Sequence, residues 1–260
     1  PIQAIYTSPL QRALDTAKEI VKDRTEKLDL IRENDLLEVD LSSWSGLTIE
    51  EVKEKYPDSY RTWAKNPEEL TLIKEDGSKH TPIKDLYFQA ERLLEKIIKI
   101  HKPERNENVL LVGHNAILRC LILKLLNKPQ EGFRRIKLDN SSVSILNITT
   151  NKRNNIDVQI ESLNCTAHLK NRFPIKGNNA RIILVRHGET NWNREGRFQG
   201  QIDIPLNKNG KKQAMAVKKL LEKIDFQKAF SSSLNRPRQT ADAILRSHPG
   251  IEVKLEKDLI

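Results

Sequence analysis

Apolar positions in this chain recur at two different spacings, and the two kinds of segment take turns along it. Residues 4–7, 108–112 and 181–185 are short apolar runs with polar borders, which predict strands, the last two buried. Residues 9–23, 83–101, 116–126 and 208–223 carry apolar side chains at helical spacing. Residues 48–56 open on Thr48 with Glu51 three positions on, the capping-box pattern of a helix start. Residues 142–148 and 156–163 read as further strands, and 171–179 as a linker. Short apolar strands alternating with amphipathic helices predict an α/β fold, a three-layer α/β/α sandwich around a mainly parallel central sheet.

The chain also repeats itself. Tyr6-Thr-Ser-Pro-Leu-Gln-Arg-Ala-Leu-Asp-Thr-Ala17 recurs 224 positions later as Phe230-Ser-Ser-Ser-Leu-Asn-Arg-Pro-Arg-Gln-Thr-Ala241. Ser8, Leu10, Arg12, Thr16 and Ala17 are matched by Ser232, Leu234, Arg236, Thr240 and Ala241, and after a one-residue slip Asp35-Leu36 is matched by Asp258-Leu259. A polar, ordered match of this kind predicts a duplication. The expected organisation is a window on a tandem array: residues 1–170 the later part of one copy, 171–179 a linker, and 180–260 the earlier part of the next.

Composition narrows the classes of function. Hydrophobic residues at 37% and charged residues at 31% describe a globular chain, not a disordered one. The 45 basic against 35 acidic side chains leave a charge of +10. The lysines are interspersed with acids, as on a solvated surface, and aromatics at 5% are too few for base-stacking platforms. No nucleic-acid partner is expected. No apolar run reaches the roughly 18–20 residues of a membrane span, since Arg119 and Lys124 interrupt residues 117–126. No leader pattern follows Pro1. Cys120 and Cys165 lack metal-site spacing, and two cysteines make no disulfide framework, so a reducing, cytoplasmic compartment is expected. The sequons at Asn140, Asn147 and Asn164 are expected to be silent there.

The candidate chemistry lies at strand ends. His187 follows the run 181–185 and precedes Gly188, while His114 follows the run 108–112 and precedes a helix. In open α/β sheets ligands bind beyond the carboxyl ends of strands, where helix N-termini favour anions. Arg186 adjoins His187, and Arg12 and Arg236 also sit just past predicted strands. Guanidinium groups match phosphate oxygens in bidentate geometry, so the set suits phosphoryl chemistry.

Leu184-Val-Arg-His-Gly-Glu-Thr-Asn-Trp-Asn193 resembles the signature of the histidine phosphatase superfamily, in its phosphoglycerate-mutase-like branch. Arg197-Phe-Gln-Gly-Gln-Ile-Asp-Ile-Pro-Leu206, with Gly210, Gln213 and Ala214, is similar to the stretch that follows it in the family. Ser232 to Ala241, and Ser8 to Ala17, resemble the element bearing a second phosphate arginine. Leu36-Leu-Glu-Val39 with Trp44 and Gly46 resembles the proton-donor segment, and Gly113-His-Asn-Ala116 with Arg119 the second-histidine segment. The resemblance covers nearly the whole chain, with the second half of the family domain preceding the first.

The resemblance implies roles. His187 would attack phosphorus and form a phosphohistidine. Arg186, His114 and either Arg12 or Arg236 would hold the equatorial oxygens. Asn193 and Gln199, with Gly200 beside them, would line the phosphate. Glu38 would protonate the leaving alkoxide and then take a proton from water. No metal or cofactor is implied. The implied activity is a phosphatase acting on a small phosphorylated metabolite, because the 76 residues from Glu38 to His114 look short for the cofactor-dependent mutases. A cofactor-dependent phosphoglycerate mutase and a non-catalytic anion-binding or nucleic-acid-binding remnant are the alternatives. Ser45 stands where the family often has Glu, and residues 79–84 lack the usual Gly-Glu-Ser, so substrate identity does not carry over. His80 and His101 fall outside the motifs and are read as surface residues.

Overall fold

Ile5 and Tyr6 face opposite ways from one short strand, and that alternation puts a helical layer on each side of it. The structure, a computed structural model, describes residues 1–25, 28–152, 155–169 and 179–260. It divides into two compact units, Pro1–Lys170 and Asn171–Ile260. All but the last residue of the expected linker 171–179 lies outside the described residues.

The first unit begins with strand β1 (Ala4–Thr7), helix α1 (Gln11–Val21) and strand β2 (Leu30–Arg32). Helices α2 (Ile49–Lys55) and α3 (Pro57–Lys65) follow, then the two-residue strands β3 (Leu72–Ile73) and β4 (Lys79–His80), which pair antiparallel. Helix α4 (Pro82–Ile100), strand β5 (Val109–Val112) and helix α5 (Asn115–Leu125) lead to an antiparallel pair, β6 (Val143–Thr150) and β7 (Ile156–Cys165).

The central sheet runs β2-β1-β5, all parallel. Ala4 and Tyr6 join the core built on α4 and α5 (Ile83, Leu86, Leu93, Ile117, Leu121), while Ile5 and Val112 pack with Ala13 and Ala17 of α1. Two layers of helices thus sandwich a parallel sheet, as the hydrophobic pattern predicts. Each fully buried Leu or Ile contributes roughly 1.5–3 kcal/mol of apolar transfer. The Thr48–Glu51 capping box forms: the Glu51 carboxylate accepts from Thr48 N at 2.7 Å, and Thr48 Oγ1 accepts from Glu51 N at 3.2 Å. Strand β5 is half-buried except for Val112, less enclosed than its all-apolar sequence predicts.

The second unit contains helix α6 (Asn191–Arg194), helix α7 (Lys208–Leu221), strand β8 (Ala229–Ser231), helix α8 (Asn235–Leu245) and strand β9 (Val253–Leu255), with β8 and β9 parallel. The buried strand expected at 181–185 is absent. These residues carry no strand, and Ile182 and Leu184 are 85% and 90% exposed. An apolar run records what a segment can bury, but a strand also needs a ladder. The β8–β9 sheet has two strands and does not pair with it.

The sequence repeat is a structural repeat. In the first unit Ile5, Tyr6 and Thr7 pair with Leu30, Ile31 and Arg32; in the second Ala229, Phe230 and Ser231 pair with Val253, Lys254 and Leu255. These are the same pairs shifted by 224 positions on the first strand and 223 on the second. Glu33 N donates to Thr7 O at 2.9 Å, and Glu256 N to Ser231 O at 2.8 Å. The turns after the strands match as well, since Ser8 Oγ and Ser232 Oγ each accept from the amide two residues on at 3.3 Å.

Candidate functional site

In the first unit the candidate residues gather around the start of α5. Gly113 follows β5, and His114 is the N-cap of α5 in extended backbone geometry. The His114 ring is buried, with Nε2 2.8 Å from Ser8 Oγ at the end of β1. Burial lowers the proton affinity of His114, the Arg12 guanidinium lowers it further, and Glu38 works in the opposite direction. Arg12 is the second residue of α1 and is exposed.

Glu38 turns its carboxylate onto the same helix end. It accepts from Ala116 N at 3.1 and 3.2 Å, from Ile117 N at 3.3 Å and from Val39 N at 2.9 Å. First-turn amides have no intrahelical acceptor, and the helix dipole favours an anion there. The loop carrying Glu38 is pinned from both sides. Leu36 is fully buried in the core, and Gln89 Nε2 on α4 donates to the carbonyls of Asp35 and Leu37 at 3.1 and 3.0 Å.

Two histidines read as surface residues are enclosed instead. His80 is 9% exposed, with Nε2 2.8 Å from Ser42 Oγ. His101 lies between Tyr6 and Glu107: its Nε2 is 2.9 Å from the Tyr6 hydroxyl and its Nδ1 2.6 Å from Glu107 Oε2. Each caps the polar group of a neighbouring element, a pairing made by tertiary approach and invisible to motif reading.

In the second unit His187 is half-buried. Arg236 Nε donates to His187 Nε2 at 3.2 Å. A guanidinium only donates, so Nε2 is the acceptor and the ring proton sits on Nδ1. That Nδ1–H donates to Gly188 O at 2.8 Å. Arg236 is buried at the start of α8 and held by two more acceptors, Ile202 O at 2.8 Å and Gly200 O at 2.7 Å. Gly200 has φ +50°, which turns the 199–202 loop so that both carbonyls face the guanidinium. Thr240, one turn along α8, accepts from Gly188 N at 3.2 Å and donates to Arg236 O at 2.8 Å. The strand-to-helix element and the segment following His187 are thereby locked together.

Asn193 and Gln199 both spend their side-chain oxygens on Thr190. Asn193 Oδ1 accepts from Thr190 N and Oγ1 at 3.1 Å, and Gln199 Oε1 accepts from Thr190 Oγ1 at 2.9 Å. Their amide nitrogens remain as donors for an anion. Arg186 is exposed and makes no hydrogen bond or ion pair with a described residue. Ser8, Gln89, Thr190 and Thr240 escaped the reading of the sequence. Ser8 and Thr240 had a signal, because both recur in the internal repeat; Gln89 had none.

Within the second unit the arrangement sets one imidazole nitrogen of His187 against Arg236 and the other against Gly188 O. Within the first it presents a carboxylate, a buried histidine and an arginine close to one another. No helix among the described residues is long and apolar enough to cross a membrane.

The sequence profile of the histidine phosphatase superfamily (branch 1) matches residues 1–160 and 182–260. The chain is 34% identical over 249 residues to 2-carboxy-D-arabinitol-1-phosphatase of Triticum aestivum, a match covering 93% of this chain and 47% of that protein. It is 32% identical over 168 residues to phosphoserine phosphatase 1 of Hydrogenobacter thermophilus, covering 65% of this chain and 72% of that one. The chain thus spans about half the length of the wheat relative. Among solved structures, a mycobacterial glucosyl-3-phosphoglycerate phosphatase aligns with a TM-score of 0.52 and 21% identity, over 63% of this chain and 77% of that one. That likeness is one of fold.

Proposed function

The chain belongs to the histidine phosphatase superfamily, branch 1, and from that premise we propose that it hydrolyses a small phosphorylated metabolite through a phosphohistidine, without a metal or other cofactor. The observation that carries this reading is the tautomer of His187: Nδ1–H is committed to Gly188 O, and the Nε2 lone pair faces Arg236.

The proposed steps follow from these residues. In the copy that holds it, His187 Nε2 attacks phosphorus in line, the phosphorus–ester oxygen bond breaks, and an acid in the position that Glu38 holds in its own copy gives its proton to the leaving alkoxide. Water then attacks the phosphohistidine, the same acid, now a carboxylate, takes the water's proton, and inorganic phosphate leaves with His187 restored. Arg236 with Arg186 carries the charge on the equatorial oxygens beside His187, and Arg12 with His114 does so in the copy that holds Glu38. Asn193 and Gln199 donate amide N–H groups, while Gly200 holds Arg236 in place. The named relatives support a small substrate, since their names specify a carboxylated sugar phosphate, phosphoserine and a glucosylated phosphoglycerate.

The repeated strand–helix–strand element supports a parent with two tandem copies of the domain, in which 1–170 and 180–260 are portions of successive copies. Interspersed lysines support a solvated surface with no nucleic-acid partner. The free cysteines Cys120 and Cys165 support a reducing, cytoplasmic setting.

Incubation with a ³²P-labelled phosphomonoester, acid-stable and base-stable bonds being distinguished afterwards, tests the reading. Label held in an acid-labile, base-stable bond, lost in His187→Ala, is expected. Phosphate release that leaves His187→Ala fully active overturns it. Transfer to added 3-phosphoglycerate in preference to water replaces the phosphatase by the mutase.

A further inference from the structure

His80 and Ser42 meet outside the chemistry described so far, at a corner made by three elements of the first unit. Ser42 opens the 3-10 turn Ser42–Trp44, His80 ends β4, and Asp85 lies in the first turn of α4. His80 is seated by β3, since it pairs with Leu72 across the antiparallel ladder. Its Nε2 lies 2.8 Å from Ser42 Oγ, and its Nδ1 lies 3.6 Å from Asp85 Oδ2. An ionised carboxylate only accepts, so the ring proton faces Asp85 on Nδ1, and Nε2 is left to accept from the Ser42 hydroxyl. Hydroxyl, imidazole and carboxylate thus stand in the order that activates a serine for attack on a carbonyl carbon.

The backbone around Ser42 suits that chemistry. Ser42 has φ +47°, in the left-handed region that strains a side chain and leaves glycine free. Strain of this kind gathers at functional turns, where it lifts a nucleophile out of the chain. Asp40 Oδ1 holds the turn by accepting from Ser42 N at 2.8 Å. Its contact with Ser42 Oγ is longer, 3.3 Å against the 2.8 Å to His80. Ser43 N, the amide that follows the hydroxyl-bearing residue, makes no hydrogen bond with a described residue and remains for a developing oxyanion. Ser42 and Asp85 keep part of their surface in solvent, while His80 is buried between them.

We propose that Ser42, His80 and Asp85 form a second catalytic centre, a serine esterase for neutral carboxylic esters with an apolar acyl chain. Ser42 Oγ attacks the ester carbon while His80 Nε2 takes its proton. The bond from that carbon to the alcohol oxygen then breaks, and the alcohol leaves with the proton from His80. Water next attacks the acyl-serine and gives a proton to His80. The bond from the acyl carbon to Oγ breaks, the carboxylic acid leaves, and His80 returns the proton to Ser42. Asp85 is a positioning residue that orients the ring. The substrate class follows from the surroundings. Asp40 and Asp85 touch the nucleophile and the base, so a phosphomonoester or a carboxylate meets repulsion there. Leu41 precedes Ser42, is partly buried and packs against the apolar cluster of Trp44 and Leu72, which gives an acyl chain its wall. The centre is independent of the phosphohistidine reading.

The full chain is incubated with a neutral fluorophosphonate, which bonds stably to an activated serine, and separately with 4-nitrophenyl butyrate. An adduct on Ser42, mapped by peptide mass, and release of more than one equivalent of nitrophenolate are expected. Ser42→Gly is expected to abolish both with a native-like thermal melt, because glycine adopts φ +47° without strain. His80→Gln is expected to slow labelling by about 10²–10⁴, the contribution of a positioned base. Where His80→Gln fails to fold, Asp85→Asn reads the same relay from an exposed position. Its expected slowing is about tenfold, less than for an aspartate in hydrogen-bond contact, because the 3.6 Å separation is long. The 4-nitrophenyl hemisuccinate, which adds a carboxylate, is expected to react more slowly than the butyrate. Three results overturn the centre: adducts that leave Ser42 untouched, labelling indifferent to both His80→Gln and Asp85→Asn, or nitrophenolate release that survives Ser42→Gly. Faster cleavage of the hemisuccinate overturns the neutral substrate class.

Discussion

Arg236 Nε donates to His187 Nε2 across 3.2 Å, and with Nδ1 turned to Gly188 O this contact places the ring proton on Nδ1. The guanidinium can hold the ring in this tautomer because its two other nitrogens are anchored on the carbonyls of Ile202 and Gly200. Lysine has one nitrogen and no fork, so it cannot fill three directions at once. Arg236→Lys is expected to lower kcat by about 10²–10³, the usual loss when one oriented donor to a developing oxyanion is removed. Steady-state hydrolysis of 4-nitrophenyl phosphate measures it; a loss below threefold would remove Arg236 from that role.

Glu38 is expected to matter in proportion to the basicity of the leaving group. Its carboxylate is oriented by the amides of Ala116 and Ile117, which fix position but do not supply the transferred proton. Glu38→Gln is expected to cost about 10²–10⁴ with an alkyl phosphate. With 4-nitrophenyl phosphate, whose leaving group departs as a stable anion, the loss should shrink by at least tenfold. Equal losses with both esters would make Glu38 a positioning group for α5, not an acid.

Much of this was legible in the sequence, for physical reasons that differ by element. Strand β1 and helices α1, α4, α5 and α7 follow apolar periodicity because each buries one face within its own unit. The pairing of His187 with Arg236 was legible through the resemblance and the repeat. The run 181–185 misled, because hydrophobicity sets what a strand gains on burial and says nothing about which edge is available to it. His80, His101 and Gln89 were not legible. Each is a polar side chain with a partner (Ser42, Tyr6, the carbonyls of Asp35 and Leu37) at least 38 positions away, which only the packed fold brings to it.

His114 predicts a pH dependence of stability. Burial and Arg12 lower its proton affinity below the ordinary value of 6.5, with Glu38 and the Ser8 hydroxyl the other groups facing it. The unfolded chain therefore binds a proton more readily than the folded one, and stability rises with pH across that interval. The stability associated with neutral His114 is complete above about 6.5 and is lost as pH falls through the lower, folded value. Thermal melts from pH 8 to pH 5 should fall more steeply for the native protein than for His114→Gln, which cannot titrate. Parallel profiles would show that the ring does not couple to folding.

The close backbone approach of Gly188 to Gly210 gives a prediction about stability in place of catalysis. A Cβ on Gly188 would lie 2.9 Å from the Cα and carbonyl carbon of Gly210, and one on Gly210 would lie 2.7 Å from Glu189 N. These obstacles are main chain, which cannot rotate aside as a side chain can. Gly113 offers the contrast, since its added methyl meets the movable tips of Leu36 at 3.3 Å and of Ile117 and Leu118 at 3.6 Å. Overpacking costs about 1–3 kcal/mol, and the rigid case belongs at the upper end. Gly210→Ala should therefore open the junction between the start of α7 and the segment carrying His187, while α5 in the first unit serves as internal control. Amide exchange along α7 should accelerate by about 10²-fold, the factor equivalent to roughly 3 kcal/mol of local opening. Exchange along α5 should be unchanged, and Gly113→Ala should accelerate neither helix by more than about tenfold. Exchange in α7 that is indifferent to Gly210→Ala would mean that the glycine contact is not what seats the helix against the His187 segment.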